Sequence, residues 1–236
     1  MYFYFNMLFL ISFTFGVNHF PSSFFNNSFI NNNQINIPDT LRLVGIMAQF
    51  QKEVIDNPKT SGDGNFLNLN SDQYNRFYET DQKRCDGFLV DRPPHDSLYF
   101  QKQLEAVGNY YKNISNNNLF YRSKIITNPI DIDGYYTVEN GMEYYSKSDK
   151  LLAQFFTEVL NLAKDDIEKY FYNEIQGILP DDVIFIVFHA GISQDFSYPT
   201  FDPTIYDLKS AYIDEQMIND IEPAEIDSAC REFFRE

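Results

Sequence analysis

Apolar positions fall in blocks separated by polar stretches rich in Asn, Asp and Gly, and each block has a readable period. Residues 41–50 (LRLVGIMAQF) are an almost unbroken apolar run with β-branched members, bounded by Pro38 and by Gln51-Lys52. Such a run predicts a buried strand. The polar stretch after it has turn signals at Asn57-Pro58 and Gly62-Asp63-Gly64, and reads as a long loop or a protruding hairpin. Past Pro93-Pro94, Phe100, Leu104, Val107, Tyr111 and Ile114 step by four and by three. That spacing makes one apolar stripe on a helix, with Asp96 or Ser97 as its cap and Asn116-Asn117-Asn118 as its stop. Residues 119–127 and 135–139 predict two strands, joined by a turn around residues 129–134.

Ser148 can cap a second long helix that runs to about Tyr172. Leu151, Leu152, Phe155, Phe156, Val159, Leu162, Ala163 and Ile167 give it a broad buried face. Gly177 and Pro180 then break the chain before residues 183–188, which are apolar at every position. A run of that kind suits a strand covered on both faces. The order strand, helix, strand, strand, helix, strand predicts an α/β (α+β layered) domain over residues 40–236, with a mixed sheet and two long helices.

Two segments precede that domain. Residues 1–17 have no charged side chain, and the apolar stretch 8–17 is too short to span a bilayer. A signal peptide over residues 1–18 is the favoured reading, because a polar segment follows at once. A buried first strand, or a start at Met7, is the alternative. Residues 19–39 are rich in Asn, Ser and Phe without a period, as in a linker or pro-segment. The expectation is a secreted protein with no stable membrane insertion once its leader is removed.

Composition narrows the partners. The 236 residues have 34 acidic against 18 basic side chains, a formal net charge of −16. That surface repels phosphate backbones, so nucleic acid is not an expected partner. Acidic loops can instead hold calcium, which takes clustered oxygen ligands. Asp131 and Asp133, in a D-x-D-G turn, and Asp195 are the candidates, with Asp63 and Asp202 as further oxygen donors. The D-x-D-G turn lacks the remaining ligands of an EF-hand loop, and turn-forming Asp is the commoner role. Cys85 and Cys230 are the two cysteines; they can form one disulfide in an oxidising compartment.

Catalytic signatures are poor. Gly191-Ile192-Ser193-Gln194-Asp195 lacks the last glycine of a nucleophile elbow, and Pro199 and Pro203 oppose the helix that an elbow needs. The three histidines, His19, His95 and His189, include no pair at H-x-x-x-H spacing. Cys85 with His95 or His189 as base has no distinguishing spacing. His189 reads as a polar residue at the end of a core strand.

The order of phrases adds more. "LRLVGIMAQFQKE", "TSGDGNF", "CDGFLVDRPPHDSLYFQKQLEAVGNYYKNIS", "YTVENGMEYYS" and "DDVIFIVFHAGISQDF" follow one another over about residues 40–215. The succession resembles the N-terminal half of secreted metallopeptidases of the immune inhibitor A-like family. The resemblance implies a zincin-like fold, a protein or peptide substrate and a catalytic zinc. It places the zinc-binding HExxH helix downstream of the HAG strand, where two His bind the metal and the Glu activates water. No residue here matches that helix, so no residue inherits a zinc-ligand or general-base role. The expectation is a fragment of a larger zinc endopeptidase, inactive as it stands. The alternative is a non-catalytic secreted binding or surface protein with a degenerate peptidase-like fold.

Overall fold

The computed structural model describes residues 12–15 as a backbone strand, and residues 40–68, 94–175, 183–196 and 204–221 in fuller detail. The elements in chain order are β1 (Ser12–Phe15), β2 (Thr40–Gln49), α1 (Ser97–Ile114), β3 (Phe120–Ile126) and β4 (Tyr136–Thr137). They continue with α2 (Met142–Tyr145), α3 (Asp149–Ile175), β5 (Val183–His189), a single 3₁₀ turn (Gln194–Phe196), β6 (Tyr212–Ile213) and α4 (Glu215–Asn219).

One sheet joins all six strands in the order β3-β2-β5-β1-β6, with β4 continuing beside the end of β2. β2 is parallel to β3, β4 and β5. β1 lies antiparallel to β5 and parallel to β6. The protein is therefore an α/β layered fold with a partly parallel sheet. The parallel centre follows from sequence: β2 and β5 are apolar on both faces, so each needs a helical layer above and below.

The two layers separate by parity. Leu41, Leu43 and Met47 of β2 and Ile184, Ile186 and Phe188 of β5 pack with Phe100 and Leu104 of α1. Val44, Ile46, Ala48, Val183, Phe185 and Val187 pack on the opposite face, against Phe155, Phe156, Val159 and Ala163 of α3. Alternation along a strand sends successive side chains to opposite faces, and both faces here are core. Gly45 permits the close approach of α1: a Cβ there would lie 2.5 Å from Ile125 Cδ1 and 3.0 Å from Leu104 Cδ1.

Helix ends match their sequence signals. Asp96 accepts from the Tyr99 N–H at 2.8 Å, and Ser148 Oγ accepts from the Leu151 N–H at 3.2 Å. Asn116 and Asn117 adopt left-handed backbone, φ 54° and 63°, which stops α1. The stripe of α1 is shorter than its spacing predicts. Phe100 and Leu104 are buried and Val107 is half-buried, while Tyr111 and Ile114 are exposed. Eighteen residues of helix run about 27 Å, against about 23 Å for the seven-residue β3 it covers, so its last turn overshoots the strand. Tyr111 then lies against Tyr121, with ring centroids 5.4 Å apart.

Three further differences stand out. The strand expected over residues 135–139 pairs only at Tyr136 and Thr137. The chain then turns into α2, whose Tyr145 hydroxyl donates to Glu158 of α3 at 2.6 Å. Residues 12–15, within the expected leader, form β1 between β5 and β6. Cys85, Cys230, His19 and Asp202 lie outside the described residues.

Candidate functional site

The parallel centre has a point of divergence. From β2 the chain crosses by α1 to β3 on one side; through α3 it returns to β5 on the other side. The loops leaving the C-terminal ends of β2 and β5 therefore part over opposite layers. In open α/β sheets the crevice at such a switch point is the usual place for a ligand. Here it is where His189, Gly191, Ser193 and the 50–64 loop come together.

The first loop folds back on itself. Phe50 N–H donates to Gly64 O, and Glu53 N–H to Asp63 O, as in a protruding hairpin. Glu53 organises its tip, accepting from Thr60 Oγ1 and from the Asn57 N–H, each at 2.7 Å. Asn57 in turn donates to Glu143 of α2 at 2.8 Å. The second loop leaves β5 through Ala190, whose N–H donates to Ala48 O. Gly191 then takes φ +90°, and a Cβ at that position would lie 2.3 Å from Met142 Cε and 3.0 Å from Ser61 Oγ. Only glycine suits both the backbone and the space.

Ser61 clamps the loops together. Its hydroxyl accepts from the Ile192 N–H at 2.6 Å, and its own N–H donates to the buried Asp207 at 2.6 Å. Asp207 thus ties a third segment, residues 204–211, to the other two. Gln194 N–H donates to Leu208 O, and Tyr206 N–H to Lys59 O.

Each sequence candidate among the described residues has a definite place. Ser193 is fully buried and its hydroxyl donates to Asp195 at 3.1 Å. Asp195 also accepts from the Ser210 N–H at 2.8 Å. Burial raises the Asp195 carboxyl, but the bonds from Ser210 and Ser193 and the charge of Lys209 outweigh it and hold it below its ordinary value. Ser193 and Asp195 therefore staple a loop. His189 is 8% exposed and its Nδ1 lies 2.9 Å from Ala190 O. A carbonyl only accepts, so Nδ1 carries the proton. Nε2 is buried without a hydrogen-bond partner. The ring sits edge-on to Phe50 and Phe155, with centroids 6.0 and 6.4 Å away. Burial lowers its pKa, against smaller upward effects of the Ala190 carbonyl and of Asp195. His189 is thus neutral, and its hydrogen bond runs to the backbone rather than to Ser193. No serine–histidine couple forms.

Asp131 and Asp133 lie together in one turn, where Asp131 Oδ1 accepts from the Asp133 and Tyr135 N–H groups, each at 3.0 Å. Asp63 bonds the Asn65 N–H and pairs with Lys52. These are turn-forming roles. His95 lies beside Tyr99, with ring centroids 5.0 Å apart and the planes tilted by 51°, and offers its backbone oxygen to the Tyr135 hydroxyl. Among the described residues no group of three or more His, Cys, Asp or Glu side chains is placed to hold a metal ion. Also among them, no helix is long and apolar enough to cross a membrane.

Sequence reasoning singled out the HAG turn but missed Ser61 and Asp207. Neither has a local signature, since their partners lie 131 and 146 residues away. Comparison with protein-family models, curated proteins and solved structures finds no match to this chain.

Proposed function

We propose that this chain is scaffold from a secreted zinc-dependent endopeptidase of immune inhibitor A-like type, with a zincin-like subdomain. One observation carries the reading: four of the five phrases of the family resemblance include elements of the fold, in the same order. "LRLVGIMAQ" lies in β2, "SLYFQKQLEAVGNYYKNI" is α1, "YTVENGMEYY" runs from β4 through α2, and "VIFIVFH" is β5. The HAG word then falls where β5 ends beside β2, at the divergence of the two helical layers.

In this reading the chain's own residues build and brace the sheet. They supply no zinc ligand, because the 236 residues contain no HExxH. The zinc helix would come from coding sequence beyond Glu236, and the catalytic metal would polarise a bound water there. The substrate would be a protein or peptide.

The test is to sequence the coding DNA past the Glu236 codon and to express both lengths. The longer product should contain an in-frame HExxH, bind one zinc and cleave an unfolded protein substrate until a chelator is added. The 236-residue chain should do none of these. An immediate stop codon in the source genome, with no HExxH in frame, would sink the reading. That outcome would favour a non-catalytic secreted binding or surface protein, a role for which the stapled loops also speak.

A further inference from the structure

β3 is the edge of the sheet on its side, since β2 is its one strand neighbour along residues 120–126 among those described. An edge strand presents a row of N–H and C=O groups that another strand can pair with. In β3 that row belongs to Tyr121, Ser123 and Ile125, because alternate residues turn their polar groups away from β2.

Part of the row is already occupied, by a side chain. Gln101 of α1 places Nε2 3.2 Å from Ser123 O and 2.9 Å from Ser123 Oγ. Its Oε1 accepts from the Ile125 N–H at 3.1 Å. The oxygen before Lys124 and the N–H after it are the pair that one residue of a parallel strand would bridge. The Gln101 carboxamide thus stands in for one peptide unit of a missing strand.

The side chains of the same edge add a second barrier. Arg122 and Lys124 are exposed on β3, and neither makes an ion pair among the described residues. Two copies of β3 meeting antiparallel about Ser123 would set Arg122 of each against Lys124 of the other. Like charges directly opposite destabilise a strand pair. This repulsion acts against a basic strand, which this edge itself is, and would attract an acidic one. It therefore discriminates against a second copy of this chain.

We propose that Gln101, with Arg122 and Lys124, guards the β3 edge against pairing with a second copy of the protein. Gln101 fills the hydrogen-bonding slot, and the two cations make the remaining row repel itself. The guard matters because β3 is otherwise well suited to addition: it is seven residues long and has no proline.

The experiment uses the full chain as wild type, as Gln101→Leu, and as Gln101→Leu combined with Arg122→Thr and Lys124→Thr. Leucine keeps the bulk and the helix propensity while removing all three hydrogen bonds of the carboxamide. Mass by light scattering and hydrogen exchange at Ser123 are followed over a concentration series. The single variant should dimerise at least tenfold more tightly than wild type, and the triple variant more tightly again. In both, the Ser123 N–H should exchange more slowly as concentration rises. A triple variant with wild-type circular dichroism and unchanged mass would overturn the proposal. So would association that leaves Ser123 exchange independent of concentration. If the triple variant does not fold, Gln101→Glu is read in the same way at pH 7. It loses the donor to Ser123 O, and unchanged mass with unchanged Ser123 exchange would count against the guard.

Discussion

His189 is held by one of its two ring nitrogens, and that asymmetry has a consequence for stability. Nδ1–H is committed to Ala190 O, while Nε2 is buried beside Phe50 and Phe155 without a partner. Protonation would place a charge where Asp195 is the acidic group acting on the ring. The folded-state pKa is depressed, so below the unfolded value of about 6.5 the unfolded chain binds the extra proton. Stability contributed by this group is present above about pH 6.5. It falls with acidification until the folded pKa is reached. Wild type should lose folding stability relative to His189→Gln as the pH falls through that window, by at most a tenfold factor in its folding constant per pH unit. Denaturant titrations of both proteins between pH 7 and pH 5 measure the difference, and parallel profiles would refute it. At this scale the sequence placed His189 at a strand end. Its tautomer and neutrality depend on a carbonyl and two aromatic rings brought there by folding.

At the scale of elements, caps and stops were the most legible features. Asp96, Ser148 and Asn116-Asn117 act through bonds or backbone angles within a few residues of themselves, so sequence proximity is spatial proximity. Asp96→Ala leaves the Tyr99 N–H without its acceptor and should cost about 1 kcal/mol by chemical denaturation. Asp96→Asn keeps an oxygen at that position and should cost a few tenths at most. Equal losses for both would assign the effect to charge instead of capping. The exposed end of the α1 stripe marks the limit of such reasoning. Periodicity says which side chains share a face, and it is silent on where the sheet beneath them ends. Tyr111 and Ile114 have the right spacing and lack a floor. Short elements were harder still: β4 has two residues and α2 has four, too few for a period to show. Both are held by long-range bonds, Tyr136 to Asp166 and Tyr145 to Glu158, with burial and those carboxylates pushing both phenols well above their usual range.

For the whole molecule, the sharpest question is β1. Residues 12–15 join β5 to β6, so a chain beginning at His19 would leave Ile184–Val187 of β5 without a partner on that side. Its denaturation midpoint should fall below that of the full chain, and slower-exchanging amides in β5 should become faster. Equal stability of the two chains would show that the sheet does not need this strand, as a cleaved leader requires. Mass determination of the mature N-terminus in the source organism would then settle which form the cell makes.

The alternation, the apolar runs and the capping residues of this chain determined an α/β layering, two long helices and a strand ending in His189, because those signals are local and repeat along the chain. The order β3-β2-β5-β1-β6, the clamp of Ser61 on Ile192 and Asp207, and the seat of Gln101 on β3 were decided only by tertiary structure. Strand order and clamp join residues far apart in sequence, and Gln101 meets β3 only because α1 packs on it; none leaves a period or a motif to read.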